Sequence, residues 1–129
     1  MIKSTAYKVY WAGRYLERLE NIARFSLLLL DKGLNLDDLN KALGVDDVFS
    51  YLASQFEVMR EDLRAVAGEE VMNALASMEA SVYASKEDVR RYFLNLQNSS
   101  FYLGRAMEDE LGPNVSYFPP KKQEEIGGQ

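Results

Sequence analysis

The chain has 129 residues, of which 47% are hydrophobic and 27% charged, with a net charge of −5 and neither cysteine nor histidine. A domain of this length removes roughly two-thirds of its unfolded surface from water, so a packed core is expected. The two absences exclude disulfides, thiol nucleophiles, Ser-His and Cys-His dyads and histidine-containing zinc or di-iron sites, leaving Glu, Asp, Lys, Tyr and Ser for any chemistry.

Apolar spacing is helical along most of the chain. Ser4 or Thr5 is expected to cap a long first helix that runs to about Lys32 and closes at Gly33. At about 100° per residue, Val9, Trp11, Ala12, Tyr15, Leu16, Leu19, Ile22, Ala23, Leu27 and Leu30 fall on one broad side. Arg14, Glu17, Arg18, Glu20, Asn21 and Arg24 fall on the other. Asn35 to Leu43 reads as a short second helix stopped by Gly44. Asp46 or Asp47 starts a third, in which Val48, Leu52, Phe56, Met59, Leu63 and Val66 step by three or four, with Gly68 as its end. Glu69-Glu70 opens a fourth helix, where the macrodipole favours negative charge, and Val71, Leu75, Met78 and Val82 form its core face. Ser85-Lys86-Glu87-Asp88 is close to a capping box and opens a last region to about Leu111, with a kink or restart expected at Ser99. Gly112-Pro113 stops it, and Val115 and Tyr117-Phe118-Pro119-Pro120 read as a sticky extended tail. No segment shows sustained strand alternation. The expected fold is all-α, an antiparallel bundle of four or five helices with a long N-terminal helix over residues 1–112, followed by an extended tail over 113–129.

The chain echoes itself once. Tyr10-Trp11-Ala12-Gly13-Arg14-Tyr15-Leu16-Glu17 aligns with Phe101-Tyr102-Leu103-Gly104-Arg105-Ala106-Met107-Glu108. A glycine inside a helix costs about 1 kcal/mol against alanine, so the two mid-helix glycines are expected to mark a close, pseudo-symmetric helix crossing.

Charge is unevenly spread. Residues 1–33 carry six Lys/Arg against three Asp/Glu, a net of +3, so the remainder carries −8. An acidic chain without a Lys/Arg run is a poor nucleic-acid binder. The longest aliphatic run, Leu27 to Leu30, is far too short to span a bilayer, and no secretory signal is read at the start. The expectation is a cytoplasmic protein with no nucleic-acid and no membrane partner.

The polar stripe of the first helix is the leading candidate site. Arginine forks present fixed donors to carboxylate or phosphate, and Tyr7, Tyr10 and Phe25 flank the stripe, as aromatics do at buried interface centres. Candidate binding or interface residues are Tyr10, Arg14, Glu17, Arg18, Glu20, Asn21 and Arg24, with Arg105 and Glu108 from the echoed segment. Glu17, Glu57, Glu79 and Glu108 lie on four different expected helices, but the Glu-x-x-His element of a carboxylate metal site is absent, so no metal is assigned. There is no phosphate-binding glycine loop and no nucleophile elbow, so no cofactor is assigned either.

The run from Tyr10 to Arg24, with Gly13-Arg14-Tyr15-Leu16-Glu17-Arg18 and Glu20-Asn21 at its centre, resembles the opening helix of the alpha-E family of all-helical bacterial and archaeal proteins. A weaker likeness continues at Asn98-Ser99-Ser100. Members are typically more than twice this length, so the chain looks like a short, truncated member. The resemblance implies an accessory role beside ATP-grasp-like ligases or transglutaminase-like proteins, in systems that make or modify peptide or amide bonds. The leading expectation is therefore a non-catalytic helical binding or scaffold module whose Arg14/Glu17/Asn21/Arg24 face makes either the protein contact or an internal polar lock, self-associating as a homodimer to cover exposed apolar surface. The alternative is an enzyme of amide transfer or hydrolysis, using Arg/Glu/Tyr residues in an inter-helix cleft. That alternative needs Glu17 or Glu108 desolvated beside Arg14 or Arg105.

Overall fold

The computed structural model describes residues 2–112, so the expected tail over 113–129 lies outside the described residues. Five helices follow in order, with no strand among the described residues: α1 (Lys3–Asp31), α2 (Leu36–Leu43), α3 (Val48–Arg64), α4 (Glu69–Val82) and α5 (Val89–Leu111).

Each boundary has a local cause. Helix α1 starts two or three residues earlier than a Ser4 or Thr5 cap would place it. Ile2 is the extended N-cap residue, no side chain caps it, and Ser4 and Thr5 lie inside the helix. The first turn is exposed, so water meets its free amides and no hydroxyl is required. At the other end the N–H groups of Gly33 and Leu34 return to the carbonyls of Leu30 and Leu29, at 2.9 and 3.1 Å. Gly44 and Val45 close α2 in the same way onto Lys41 and Asn40, at 3.2 and 3.0 Å. These closures need a left-handed residue, and Gly33 and Gly44 supply it with φ of 86° and 71°.

Asn35 and Asp38 form a reciprocal capping box on α2, at 2.9 and 3.0 Å. Asp47 caps α3, accepting from the Phe49 and Ser50 amides and, at 2.7 Å, from the Ser50 hydroxyl. Asn40 accepts from the Val48 N–H at 2.8 Å and so ties α2 to the start of α3. Gly68 does not end α3, which stops at Arg64; it is the N-cap residue of α4. Asp88, rather than Ser85, caps α5 by accepting from the Arg91 N–H at 3.0 Å. No restart occurs at Ser99. The hydroxyls of Ser99 and Ser100 donate to the Leu96 carbonyl at 3.1 and 2.7 Å, which lets both be buried inside a continuous helix.

Helices α1, α3, α4 and α5 form a closed ring, with α1 and α4 each packed on both α3 and α5, while α2 lies on α3. Neighbours run antiparallel: Arg90 at the start of α5 pairs with Asp31 at the end of α1 at 3.0 Å, and Glu110 at the end of α5 reaches Gly68 at the start of α4. Leu19, Leu52, Phe56, Met59, Leu63, Val71, Met78, Phe93, Leu96 and Leu103 are fully buried at the centre. Each such side chain contributes about 1.5–3 kcal/mol by leaving water. The spacing-derived faces of α3 and α4 are thus core, with only Val66, beyond the end of α3, half-buried. On α1 the buried set is Ala12, Leu16, Leu19, Ile22, Ala23, Ser26 and Leu27, while Val9, Trp11, Tyr15 and Leu30 sit at the core edge. Among the described residues no helix is long and apolar enough to cross a membrane.

Gly13 and Gly104 do not mark a close crossing. Both line one groove of about 450 Å³ between α1 and α5, with Val9, Leu16, Met107 and Leu111. A Cβ built on Gly13 would meet nothing within 4 Å, and one on Gly104 would touch only Leu16 Cδ2, at 3.5 Å. The echoed segments therefore face a shared groove from two antiparallel helices, with room left at both glycines.

Candidate functional site

Successive turns of α1 put Arg14, Glu17, Arg18 and Asn21 on one stripe. Because α3 packs on α1 and α2 folds over α3, Leu43 from the end of α2 closes over the same stripe. The result is a groove of about 380 Å³ lined by Arg14, Glu17, Arg18, Asn21, Ile22, Phe25 and Leu43. Arg18 is half-buried and fixed from two sides. Its guanidinium donates to Gln55 Oε1 of α3 at 2.6 Å and lies over the Tyr15 ring at 5.2 Å. Such a clamp removes most of the rotamer freedom an exposed arginine keeps.

The remaining expected site residues divide among other places. Glu20 and Arg24 pair with each other at 2.5 Å, one helical turn apart, and Arg24 also reaches Asn21 Oδ1 at 3.5 Å. Tyr10 and Glu108 line the α1–α5 groove instead. Arg105 is exposed on α5 and lines neither groove. Four residues of the charged stripe on α1 thus line one groove, and Phe25 beside them is 39% exposed. Leu43 and Gln55 were not expected there; nothing in their local sequence marks them, since only the packing of α2 and α3 brings them to α1.

A second polar cluster spans α3 and α4. Arg60 pairs with Glu57 on its own helix and with Glu79 of α4 at 2.9 Å, and lies over the Phe56 ring at 5.5 Å. The Tyr83 hydroxyl donates to Glu57, and that hydrogen bond pushes the phenol above its ordinary value. Two of the four glutamates considered for a metal do meet, then, but around an arginine that neutralises them. Among the described residues no group of three or more acidic residues is placed to hold a metal. In the core, Tyr92 donates to the Val82 carbonyl at 2.8 Å, and burial pushes its phenol far above the ordinary range.

The condition set for amide chemistry is unmet at the residues named for it, because Glu17 and Glu108 are both exposed. What the α1 groove offers chemically is recognition: a fixed guanidinium, a second guanidinium, a carboxylate and an amide at one end, with an apolar floor at the other.

A family model named Alpha-E, described as a predicted alpha-helical domain with a conserved ER motif, matches residues 1–98. Searches of curated proteins and of solved structures found no match. The matched span covers α1 to α4 and the first part of α5, and stops before Gly104, Arg105 and Glu108. The chain contains one Glu-Arg dipeptide, Glu17-Arg18, and both residues line the α1 groove. With its helical bundle and a match across most of its length, this chain belongs to the Alpha-E family.

Proposed function

We propose that the chain is a cytoplasmic, non-catalytic helical module that binds a partner through the α1 groove. The partner class is an ATP-grasp-type or transglutaminase-like protein acting on peptide or amide bonds. One observation carries this reading: Glu17-Arg18, the chain's counterpart of the family motif, opens onto a groove instead of being consumed in the core. Arg18 is itself tied to Gln55 and Tyr15, as an arginine serving the fold would be, but Glu17 and the remaining donors of the Arg18 fork stay open to the groove. Affinity capture from native lysate tests it, comparing the wild-type chain with Arg14→Glu. Recovery of a ligase or transglutaminase-like protein by the wild type and its loss in a variant still folded by circular dichroism is the expected result. Equal recovery by both chains moves the contact away from α1.

Self-association draws on a different surface. Tyr10, which lines the α1–α5 groove, is 56% exposed, and Tyr7 of α1 and Phe101 of α5 are 65% and 44% exposed, apolar surface that a homodimer would cover. Light scattering at tens of micromolar is expected to give twice the monomer mass; a monodisperse monomer removes this part of the reading.

A further inference from the structure

The α1 groove has a chemical polarity that narrows its ligand. Arg14 and Glu17 lie one turn apart yet form no ion pair with each other or with another described residue, whereas Glu20–Arg24, Glu57–Arg60, Glu61–Arg64 and Asp88–Arg91 all close. Arg18 is held by Gln55 through one N–H and keeps further donors, and Asn21 keeps its amide donors because only its oxygen is engaged by Arg24. The charged end, Arg14 to Asn21, spans about 10 Å of helix. Ile22, Phe25 and Leu43 follow as an apolar end. Glu17 stands beside both arginines and cuts the groove's charge from +2 to +1, which disfavours a phosphate dianion. A carboxylate with its own cation alongside matches this set: guanidinium forks take the carboxylate, Glu17 takes the cation, and the apolar end takes a side chain.

We infer that the groove binds a zwitterionic ligand with an apolar side chain, an α-amino acid or short peptide. This rests on the groove being the module's binding site, and it adds a small ligand to the partner already proposed. The volume of about 380 Å³ lies in the range of small-molecule sites.

The test is a backbone-amide NMR titration of the full chain with L-leucine, leucyl-leucine, N-acetyl-L-leucine, L-leucinamide and inorganic phosphate. Saturable shifts confined to the α1 stripe and Leu43 are expected with leucine or leucyl-leucine, and the tighter of the two identifies the source. N-acetyl-L-leucine and leucinamide bind about two- to five-fold more weakly than leucine, the range an exposed charge pair supplies. In Glu17→Gln the preference for leucine over N-acetyl-L-leucine disappears, whereas Arg18→Gln weakens both alike. Absence of saturable shifts at millimolar zwitterion, tighter binding of phosphate, or an unchanged preference in Glu17→Gln overturns the inference. Capture of the partner without any leucine or dipeptide binding overturns this inference alone; leucine binding without partner capture overturns the partner reading alone.

Discussion

Glu110, in the last turn of α5, caps the N-terminus of α4 from outside: its carboxylate accepts from the backbone N–H groups of Gly68 and Val71, each at 2.7 Å. One side chain from a neighbouring helix thereby satisfies the two amides that a capping box would serve from within. It also places negative charge at the positive end of the α4 dipole, beside Glu69 and Glu70.

Glu110→Ala is expected to cost about 1–2 kcal/mol, the range of a lost charged cap. A Cβ on Gly68 would run into the same carboxylate and push it aside, so Gly68→Ala acts through the same hydrogen bonds, at a cost no larger than that of Glu110→Ala because the side-chain end can move. The two losses are one loss. In a double-mutant cycle by urea unfolding, Gly68→Ala should be close to neutral in the Glu110→Ala background; full additivity would show that the two substitutions do not act through the same hydrogen bonds.

Gly13→Ala and Gly104→Ala should each stabilise the chain by about 0.5–1 kcal/mol, since both sites are helical and open to a methyl group. Thermal melts decide it. Destabilisation by either substitution would restore the close-crossing explanation that the geometry displaces.

Ser26 is fully buried on α1, and its hydroxyl has no hydrogen-bond partner among the described residues. Removing an unsatisfied hydroxyl relieves its desolvation penalty, so Ser26→Ala is expected to be stabilising by about 1 kcal/mol. A measurable fall in the urea midpoint would mean that the hydroxyl is satisfied in solution.

The hydrogen bond from the Ser50 hydroxyl, with the Phe49 and Ser50 amides, holds the Asp47 carboxyl below its ordinary value. A carboxyl depressed by folding stabilises above its unfolded pKa of about 3.9 and loses that contribution as pH falls through its folded value. Asp47→Ala should therefore cost about 1 kcal/mol near neutral pH, and the gap from wild type should close toward about pH 2. Urea midpoints at the two pH values test it; an equal gap at both would place the cap's value elsewhere.

How far the molecule could be read from its sequence depended on the range of the interaction. Gly33, Gly44, Asn35 and Asp47 act within a few residues of themselves, and the helix ends they set were legible. Ser4, Ser85 and Gly68 misled because a good capping or stopping residue marks a boundary only where it is needed: the exposed start of α1 forms with Ile2 as its N-cap residue, Asp88 caps α5, and Gly68 instead opens α4, where Glu110 supplies the cap. Ser99 and Ser100 looked like a break because hydroxyls on an apolar face have to be satisfied, and both found the Leu96 carbonyl inside the helix. At the candidate site, helical spacing put Arg14, Glu17, Arg18 and Asn21 together, and those four do share a groove. The anchoring of Arg18 by Gln55 and the closure by Leu43 depend on how three helices pack, information that a single helix's periodicity does not contain.

The central claim is that the Glu17-Arg18 groove is where the module meets its partner. The chain's lack of cysteine makes a direct measurement straightforward. A photo-crosslinker is attached at Asn21→Cys, on the groove, or at Asn98→Cys, on an exposed position of α5, and irradiated in native lysate with mass spectrometry of the adducts. The account predicts an ATP-grasp-type or transglutaminase-like protein crosslinked from Asn21→Cys and absent from Asn98→Cys. The same protein crosslinked from Asn98→Cys and not from Asn21→Cys would contradict it.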